Sequence, residues 1–343
     1  MRLARALLWV LALFTPEGCG ALREARQELR EATRLAGDEA YAFMIYGQES
    51  HQIGLLTAIF NIREFDKERE IVVLTPESNE AMEKDLAKLN AKVLVRPTIP
   101  GDACIGKVGL GKSRLVNSFF KLHVWNLTQY NTVLYLESDM LIREPLDYIF
   151  RRSRLMAGKE ALMIAPQGHK DCTDGNFHPS DHRRVWNTGI MGIRPSSEFA
   201  RAYLDMVLAM NAGNTTAFCE GGSQSLENVL FASKMQNQRG WSHLYCLPLR
   251  YNCKDVVCVE NAAVVHWTGE HKPWDGGKGF DQYVPDWVEM RGRAKNATGV
   301  GFSREVLDSG SERSEPTKNM DATFMEMARQ LMRYHDAVLD LIS

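Results

Sequence analysis

Thr132-Val-Leu-Tyr-Leu-Glu-Ser-Asp139, followed at once by Met140-Leu-Ile142, is the stretch whose reading decides the fold. Its first five residues form a short run without polar alternation, the pattern of a strand buried on both faces in a parallel sheet. Two carboxylates then leave the strand one residue apart, and apolar residues resume directly after them. An acid-x-acid triplet by itself is more often a solvated loop. At the carboxyl end of a buried parallel strand it lies where such sheets bind ligands. There Glu137 and Asp139 can converge on one hard cation such as Mg²⁺ or Mn²⁺, shared with substrate phosphates.

The same rhythm extends upstream. Ala40-Tyr-Ala-Phe-Met-Ile-Tyr46, Glu70-Ile-Val-Val-Leu-Thr75 and Lys92-Val-Leu-Val95 are further apolar runs of strand length. Helical spacing falls between them, from Glu49 to Arg63, from Glu80 to Leu89 and from Ser113 to Gln129. This βαβα alternation predicts an α/β fold with a mostly parallel central sheet and helices on both faces. It places the chemistry just after Tyr46, Thr75 and Leu136.

Composition narrows the class. The 343 residues carry Lys+Arg 41 against Asp+Glu 43, a net charge of −2, with 45% hydrophobic and 24% charged residues. These values exclude a disordered chain, a collagen-like repeat and a disulfide miniprotein. The near-zero balance argues against nucleic acid as a partner. At the N-terminus Arg2 and Arg5 precede the apolar run Ala6 to Phe14, and Pro16, Gly18, Cys19 and Gly20 follow. That layout predicts a secretory signal peptide over 1–20, with a buried N-terminal helix as the alternative. The run is shorter than the roughly 20 residues a membrane span needs, and no other stretch approaches that length. Cleavage near Gly20 would remove Cys19 and leave Cys104, Cys172, Cys219, Cys246, Cys253 and Cys258, an even set suited to disulfides. The last three lack the C-x-x-C spacing of a structural zinc site. Acceptor sequons for N-glycosylation stand at Asn126, Asn214 and Asn296. The expected location is the Golgi or endoplasmic reticulum lumen, or outside the cell; it is the cytoplasm if the leader does not function. Residues 21–38 read as a charged helical stem, 39–300 as the main domain and 301–319 as a polar linker. Residues 320–343 read as an amphipathic helix that either packs on the domain or makes a homodimer.

Four ordered blocks carry a resemblance. Lys121-Leu-His-Val-Trp-Asn-Leu-Thr-Gln-Tyr130 with the following strand and Glu137-Ser-Asp139 resembles the core of glycosyltransferase family 8, and within it the glycogenin-like members. Asn187-Thr-Gly189 resembles the family's Asn-Ser/Thr-Gly strand, and Gly221-Gly-Ser-Gln-Ser-Leu-Glu-Asn228 its Asp-Gln block. His266-Trp-Thr-Gly269-Glu-His-Lys272-Pro-Trp274 resembles its terminal His-x-x-Gly-x-x-Lys-Pro-Trp. The resemblance spans roughly Ala40 to Trp274. It implies a GT-A, Rossmann-like enzyme that moves a hexose from a UDP-sugar with retention of configuration, using Mn²⁺, with Mg²⁺ as the alternative. It further implies that Glu137, Asp139 and His266 hold the metal, that Gly269 and Lys272 meet the diphosphate, and that Ser138 belongs to the donor site. Lys121 would approach the donor and Asn187, Glu220 and Gln224 would line the sugar pocket, while Tyr46, Gly47, Gln48 and His51 would contact the nucleotide. The acceptor would be a glycan, a lipid or a protein.

Three departures set up rival expectations. Glu137 stands where the family has Asp, and Ser223 where it has the Asp preceding Gln; both raise the rival of a nucleotide-sugar binding protein without turnover. Glycogenin carries its acceptor tyrosine in a loop before the terminal block. Here only Cys253 to Val265 fill that interval, without a tyrosine, so no self-glucosylation is expected there. A glycogen-initiating, self-glucosylating chain therefore needs an acceptor tyrosine elsewhere.

Overall fold

The computed structural model describes residues 37–46, 49–99, 117–155, 161–166, 186–211, 222–236, 243–254, 260–269, 271–275 and 281–299. The signal peptide, nearly all of the stem, the linker and the C-terminal helix expected from the sequence lie outside these residues. So do Gly47, Gln48, Glu220 and the sequon at Asn214.

The first half runs β1 (Glu39–Met44), α1 (Glu49–Phe65), β2 (Glu70–Thr75), α2 (Glu80–Lys88), β3 (Ala91–Val95), α3 (Leu122–Trp125), β4 (Thr132–Leu136) and β5 (Met140–Ile142). The second half runs α4 (Asp147–Leu155), β6 (Ala161–Pro166), β7 (Trp186–Ile193), α5 (Ser197–Asn211), α6 (Gly222–Gln236), β8 (His243–Cys246), β9 (Val264–His266) and α7 (Val284–Thr298). Seven strands form one sheet in the order β3-β2-β1-β4-β7-β6-β8. Only β7 runs against the others, because it pairs antiparallel with both β4 and β6. β5 and β9 make a separate antiparallel pair.

Strand alternation sorts the core. Val133 and Tyr135 of β4 join Trp125, Trp186 and Phe199 on one side of the sheet. Leu134 and Leu136 join Phe43, Ile59, Ile190 and Phe150 on the other. Both faces are covered, which is why these strands read as continuous apolar runs. A third cluster sets Trp267 and Trp274 against Trp287 of α7.

The helix expected from Ser113 to Gln129 is corrected within its described part. A 3₁₀ stretch at 117–121 leads into a single turn, α3, and the chain turns at Asn126. Phe119, Phe120, Leu122, Val124, Trp125 and Leu127 are all buried, so no solvent face exists for a long helix to present. At the amino ends of the strands, Arg69 Nε bonds Glu39 at 2.7 Å, and its Nη1 reaches Asp66 at 2.6 Å and Asp147 at 2.9 Å. Arg154 also holds Glu39, at 2.6 Å, and Tyr41 donates to Asp66 at 3.0 Å.

Candidate active site

The Glu137–Asp139 corner is fixed from two sides. The Glu137 N–H bonds the Gly189 carbonyl at 3.1 Å, tying the first acidic residue to β7. The chain then enters β5, whose Met140 lies opposite His266 of β9, and the Trp267 N–H bonds the Asp139 carbonyl at 3.1 Å. A three-residue strand pair thus carries His266 to residues 129 positions earlier. Glu137, Asp139 and His266 each offer a ligand atom, all within 4.8 Å of one another. His266 Nε2 lies 3.2 Å from Glu137 Oε2 and 3.4 Å from Asp139 Oδ1.

Neighbours orient the imidazole. Asn252 Nδ2 donates to Asn187 Oδ1 at 2.8 Å, which leaves Asn252 Oδ1 as the acceptor facing His266 Nδ1, also at 2.8 Å. Nδ1 therefore carries a hydrogen and Nε2 points at the two carboxylates: protonated, it donates toward Glu137; deprotonated, its lone pair is available to a metal. Asp139 is 4% exposed, yet its Oδ1 has no hydrogen-bond partner among the described residues beyond the 3.4 Å ion-pair contact with His266. Leaving a buried carboxylate oxygen unpaired is costly. One imidazole nitrogen beside two carboxylates, one of them orphaned, fits a divalent cation of the Mn²⁺ type. The extra methylene of Glu137 does not remove its carboxylate from the group.

Two lysines occupy the outer sides of these acids. Lys121 Nζ donates to Glu137 Oε1 at 3.0 Å, to the Thr188 carbonyl at 3.0 Å and to the Thr188 hydroxyl at 3.1 Å. Lys272 Nζ pairs with Asp139 Oδ2 and donates to the Trp267 carbonyl at 2.9 Å. Burial opposes charge on Glu137, but Lys121 and His266 outweigh it and hold the carboxyl well below its ordinary range. Asp139 follows the same pattern with His266 and Lys272. Burial would lower the His266 pKa, yet Asp139 and Glu137 raise it.

The other described residues named from the sequence make the following contacts. Gln224 Oε1 accepts from Asn187 Nδ2 at 3.3 Å and from the Thr188 N–H at 3.2 Å. His51 Nδ1 lies 3.5 Å from the Ser138 hydroxyl, and its ring meets Trp274 edge-on at 5.2 Å; burial lowers its pKa. Tyr46 stands edge-on to Phe120 at 4.9 Å. Gly269 has φ +86°, a conformation that strains any L side chain, three residues before Lys272. At the end of β2 the Thr75 hydroxyl closes a local turn by donating to the Glu77 carbonyl at 3.0 Å.

Gly189 sets a tighter limit. A Cβ added there would overlap the His266 ring. We expect Gly189→Ala to displace the imidazole and weaken Mn²⁺-dependent UDP binding by about 10–100-fold, the usual cost of disturbing a ligand's support. Calorimetry with UDP at graded Mn²⁺ checks this, and an unchanged manganese midpoint would show the ring is not a ligand.

Sequence reasoning missed several supporting groups. Asn252 orients His266, Thr188 holds Lys121, and Asn228 Oδ1 and Nδ2 bind both the N–H and the carbonyl of Trp186, at 2.6 and 2.9 Å. Glu227 is fully buried nearby. An Asn or a Glu on the apolar side of a helical pattern was the available signal, visible in Leu226-Glu-Asn-Val-Leu230.

A family profile described as glycosyl transferase family 8 matches residues 35–277. Mouse glycogenin-1 is 25% identical over 241 residues, covering 66% of this chain and 63% of the mouse protein. A putative UDP-glucuronate:xylan alpha-glucuronosyltransferase 3 of Arabidopsis thaliana is 22% identical over 199 residues, covering 57% of this chain and 27% of that protein. The chain thus spans less than two thirds of the length of these relatives. Among solved structures, the galactosyltransferase LgtC with donor and acceptor sugar analogues superposes with a TM-score of 0.51 at 15% identity, covering 74% of this chain and 95% of that one. The fold is GT-A, α/β with a mostly parallel central sheet between helices. The family profile and the glycogenin matches agree on one placement: this chain belongs to glycosyltransferase family 8.

Proposed function

We propose that this glycosyltransferase moves a hexose from a UDP-sugar to a separate glycan, lipid or protein acceptor, with retention of configuration and with Mn²⁺ as its metal. The observation that carries this reading is the Glu137–Asp139–His266 group with its orphaned Asp139 oxygen, flanked by Lys121 and Lys272. The Arabidopsis relative is named for UDP-glucuronate, which supports UDP as the carrier.

Breaking the bond between the sugar's anomeric carbon and UDP leaves negative charge on the β-phosphate. The metal, when bound, would act as a Lewis acid on that charge, and Glu137, Asp139 and His266 would hold it. Lys272, released from Asp139, would add a second positive group beside the leaving phosphate. Asn187 and Gln224 would present amide groups to the sugar hydroxyls. The departing phosphate oxygen would take the acceptor's proton on the same face of the ring, so no protein base is required.

A screen of UDP-sugars for slow hydrolysis with Mn²⁺, read beside the intact mass of the chain, tests this. The expected result is UDP release with one donor and no change in the protein's mass. A ladder of hexose additions on the chain would instead establish self-glucosylation. Manganese-dependent UDP binding with no hydrolysis of any donor would establish the binding protein that Ser223 raised as a rival.

The location proposed is the secretory pathway. Cys246 and Cys253 are buried and disulfide-bonded, which suits an oxidising compartment. Among the described residues no helix is long and apolar enough to cross a membrane. Asn126 and Thr128 of one sequon are both exposed at the turn after α3. In the sequon at Asn296, the Thr298 hydroxyl is buried and donates to the Ala294 carbonyl at 2.8 Å inside α7. When the full chain is expressed in mammalian cells, we expect peptide-N-glycosidase to shift its mobility and Asn126→Gln to remove the Asn126 glycopeptide. A chain recovered only from the cytosol without glycan would contradict the location.

A further inference from the structure

Helix α6 carries a carboxylate that the site as described does not use. Glu227 is 0% exposed, among Leu226, Val229, Leu230 and the Tyr135 and Tyr203 rings, and among the described residues neither of its oxygens has a hydrogen-bond partner of normal length and angle. A buried carboxyl in that condition costs stability. Burial pushes its pKa up to about 7, with the Lys121 ammonium and the neighbouring Thr188 hydroxyl pulling the other way. The ammonium that Glu137 grips rests 4.9 Å above the Tyr135 ring and bonds Thr188, the residue whose N–H is held by Gln224, three residues before Glu227 on the same helix.

The position of Glu227 on α6 gives this meaning. Ser223 and Glu227 stand four residues apart in a helix and so share one face. Ser223 is where the family resemblance places a carboxylate, and in this chain that position offers only a hydroxyl, buried to 3% exposure, with its N–H bonded to the Ser118 hydroxyl at 2.8 Å. We propose that Glu227 is a positioning residue for Lys121: its carboxylate holds the ammonium when Glu137 turns to a metal ion, and it replaces, one helical turn on, the charge that α6 lacks at Ser223. The proposal rests on the reading that Glu137 binds a metal beside a UDP-sugar. Its physical content is a competition. With Glu227 neutral, Glu137 is the remaining carboxylate on Lys121 among the described residues, so a cation must pull Glu137 away from a buried ammonium that has no other counter-charge.

The test is UDP binding by calorimetry at graded Mn²⁺, with melting temperatures alongside. Glu227→Gln is expected to raise the manganese midpoint about tenfold, a coupling of the size found between groups in one network. Its melting temperature should hold or rise, because an orphaned buried charge is gone. Glu227→Asp, which keeps the charge, should recover part of the affinity. In a Lys121→Met background the Glu227→Gln shift should vanish. Adding Ser223→Asp to Glu227→Gln should bring the midpoint back toward wild type. An unchanged midpoint in Glu227→Gln, or the same shift persisting without Lys121, overturns the proposal. A lower melting temperature with no change in midpoint marks Glu227 as merely structural. UDP binding by the wild-type chain without any manganese dependence removes the metal reading itself, and this proposal with it.

Discussion

Asp139→Asn is expected to lose UDP-sugar hydrolysis by about 10³-fold or more, while the protein stays folded. The size follows from what the side chain supplies. Removing a single electrostatic stabiliser of a developing oxyanion costs on the order of 10²–10³ in rate, and a ligand change that weakens the metal removes a larger stabiliser than one hydrogen bond. Asparagine keeps the volume at a position 4% exposed, so packing survives. It also keeps one oxygen, but without the charge that balances Lys272 and would balance a divalent ion. Two controls separate loss of metal from loss of shape. Chelation with EDTA should abolish wild-type turnover and leave the residual rate of Asp139→Asn unchanged. Mn²⁺-dependent UDP binding should fall with the rate, because the same group serves both. Full turnover in Asp139→Asn would falsify the assignment of this carboxylate to a metal.

The ease of finding Asp139 and the difficulty of finding its partners have one physical origin. β4 and the two acids after it are contiguous, and a strand buried on both faces is legible from a run of apolar residues without any partner in view. β1 and β2 were legible for the same reason, and the apolar stretches matched the strands within two residues. His266 is different. Its place beside Glu137 depends on β5 pairing with β9, two three-residue strands with no periodicity to announce them, so only the resemblance pointed to it. Asn252 lies further from view, since its work is to orient a ring that sequence places 14 residues away. Glu227 was hidden in another manner: a Glu in a helical segment reads as solvated, and only the folded chain shows it fully buried. The stretch before β4 failed because helical periodicity needs a dry face and a wet one. With Phe119 through Leu127 buried almost throughout, spacing carries no information about whether the turn is 3₁₀ or α.

The second large effect lies at the opposite pole of the sheet. Glu39 opens β1 and is paired in register with Thr132, the first residue of β4, whereas Glu137 follows the last. Arg69 thus gathers Glu39, Asp66 and Asp147 at the amino ends of the strands that carry the site at their carboxyl ends. Arg69→Met would leave Glu39 with Arg154, and Asp66 with the Tyr41 hydroxyl and the Arg63 guanidinium that bonds its carbonyl at 3.1 Å. Breaking a buried pair by removing one partner costs about 3–5 kcal/mol. Arg154 remains, and Asp147 is 42% exposed and contributes little, so the lower end applies, about 3 kcal/mol. For a domain of this size that is a melting temperature lower by about 10 °C. Arg69→Lys should recover part of it, since an ammonium can meet one carboxylate but not fork between them. The effect should also depend on pH with a fixed sign. Burial would raise the Asp66 pKa, but the Arg69 side chain and backbone bonds outweigh it and hold the folded value below the ordinary one. Such a group stabilises above about pH 4 and loses that contribution as pH falls through its folded value. The wild type therefore has this increment to lose and Arg69→Met does not, so their stability difference should shrink as pH drops below about 4. Below the melting transition the variant should bind UDP and Mn²⁺ as tightly as wild type, because none of the three acids that Arg69 holds belongs to the group around His266. A loss of metal affinity in the folded variant would mean that the two ends of the sheet are coupled.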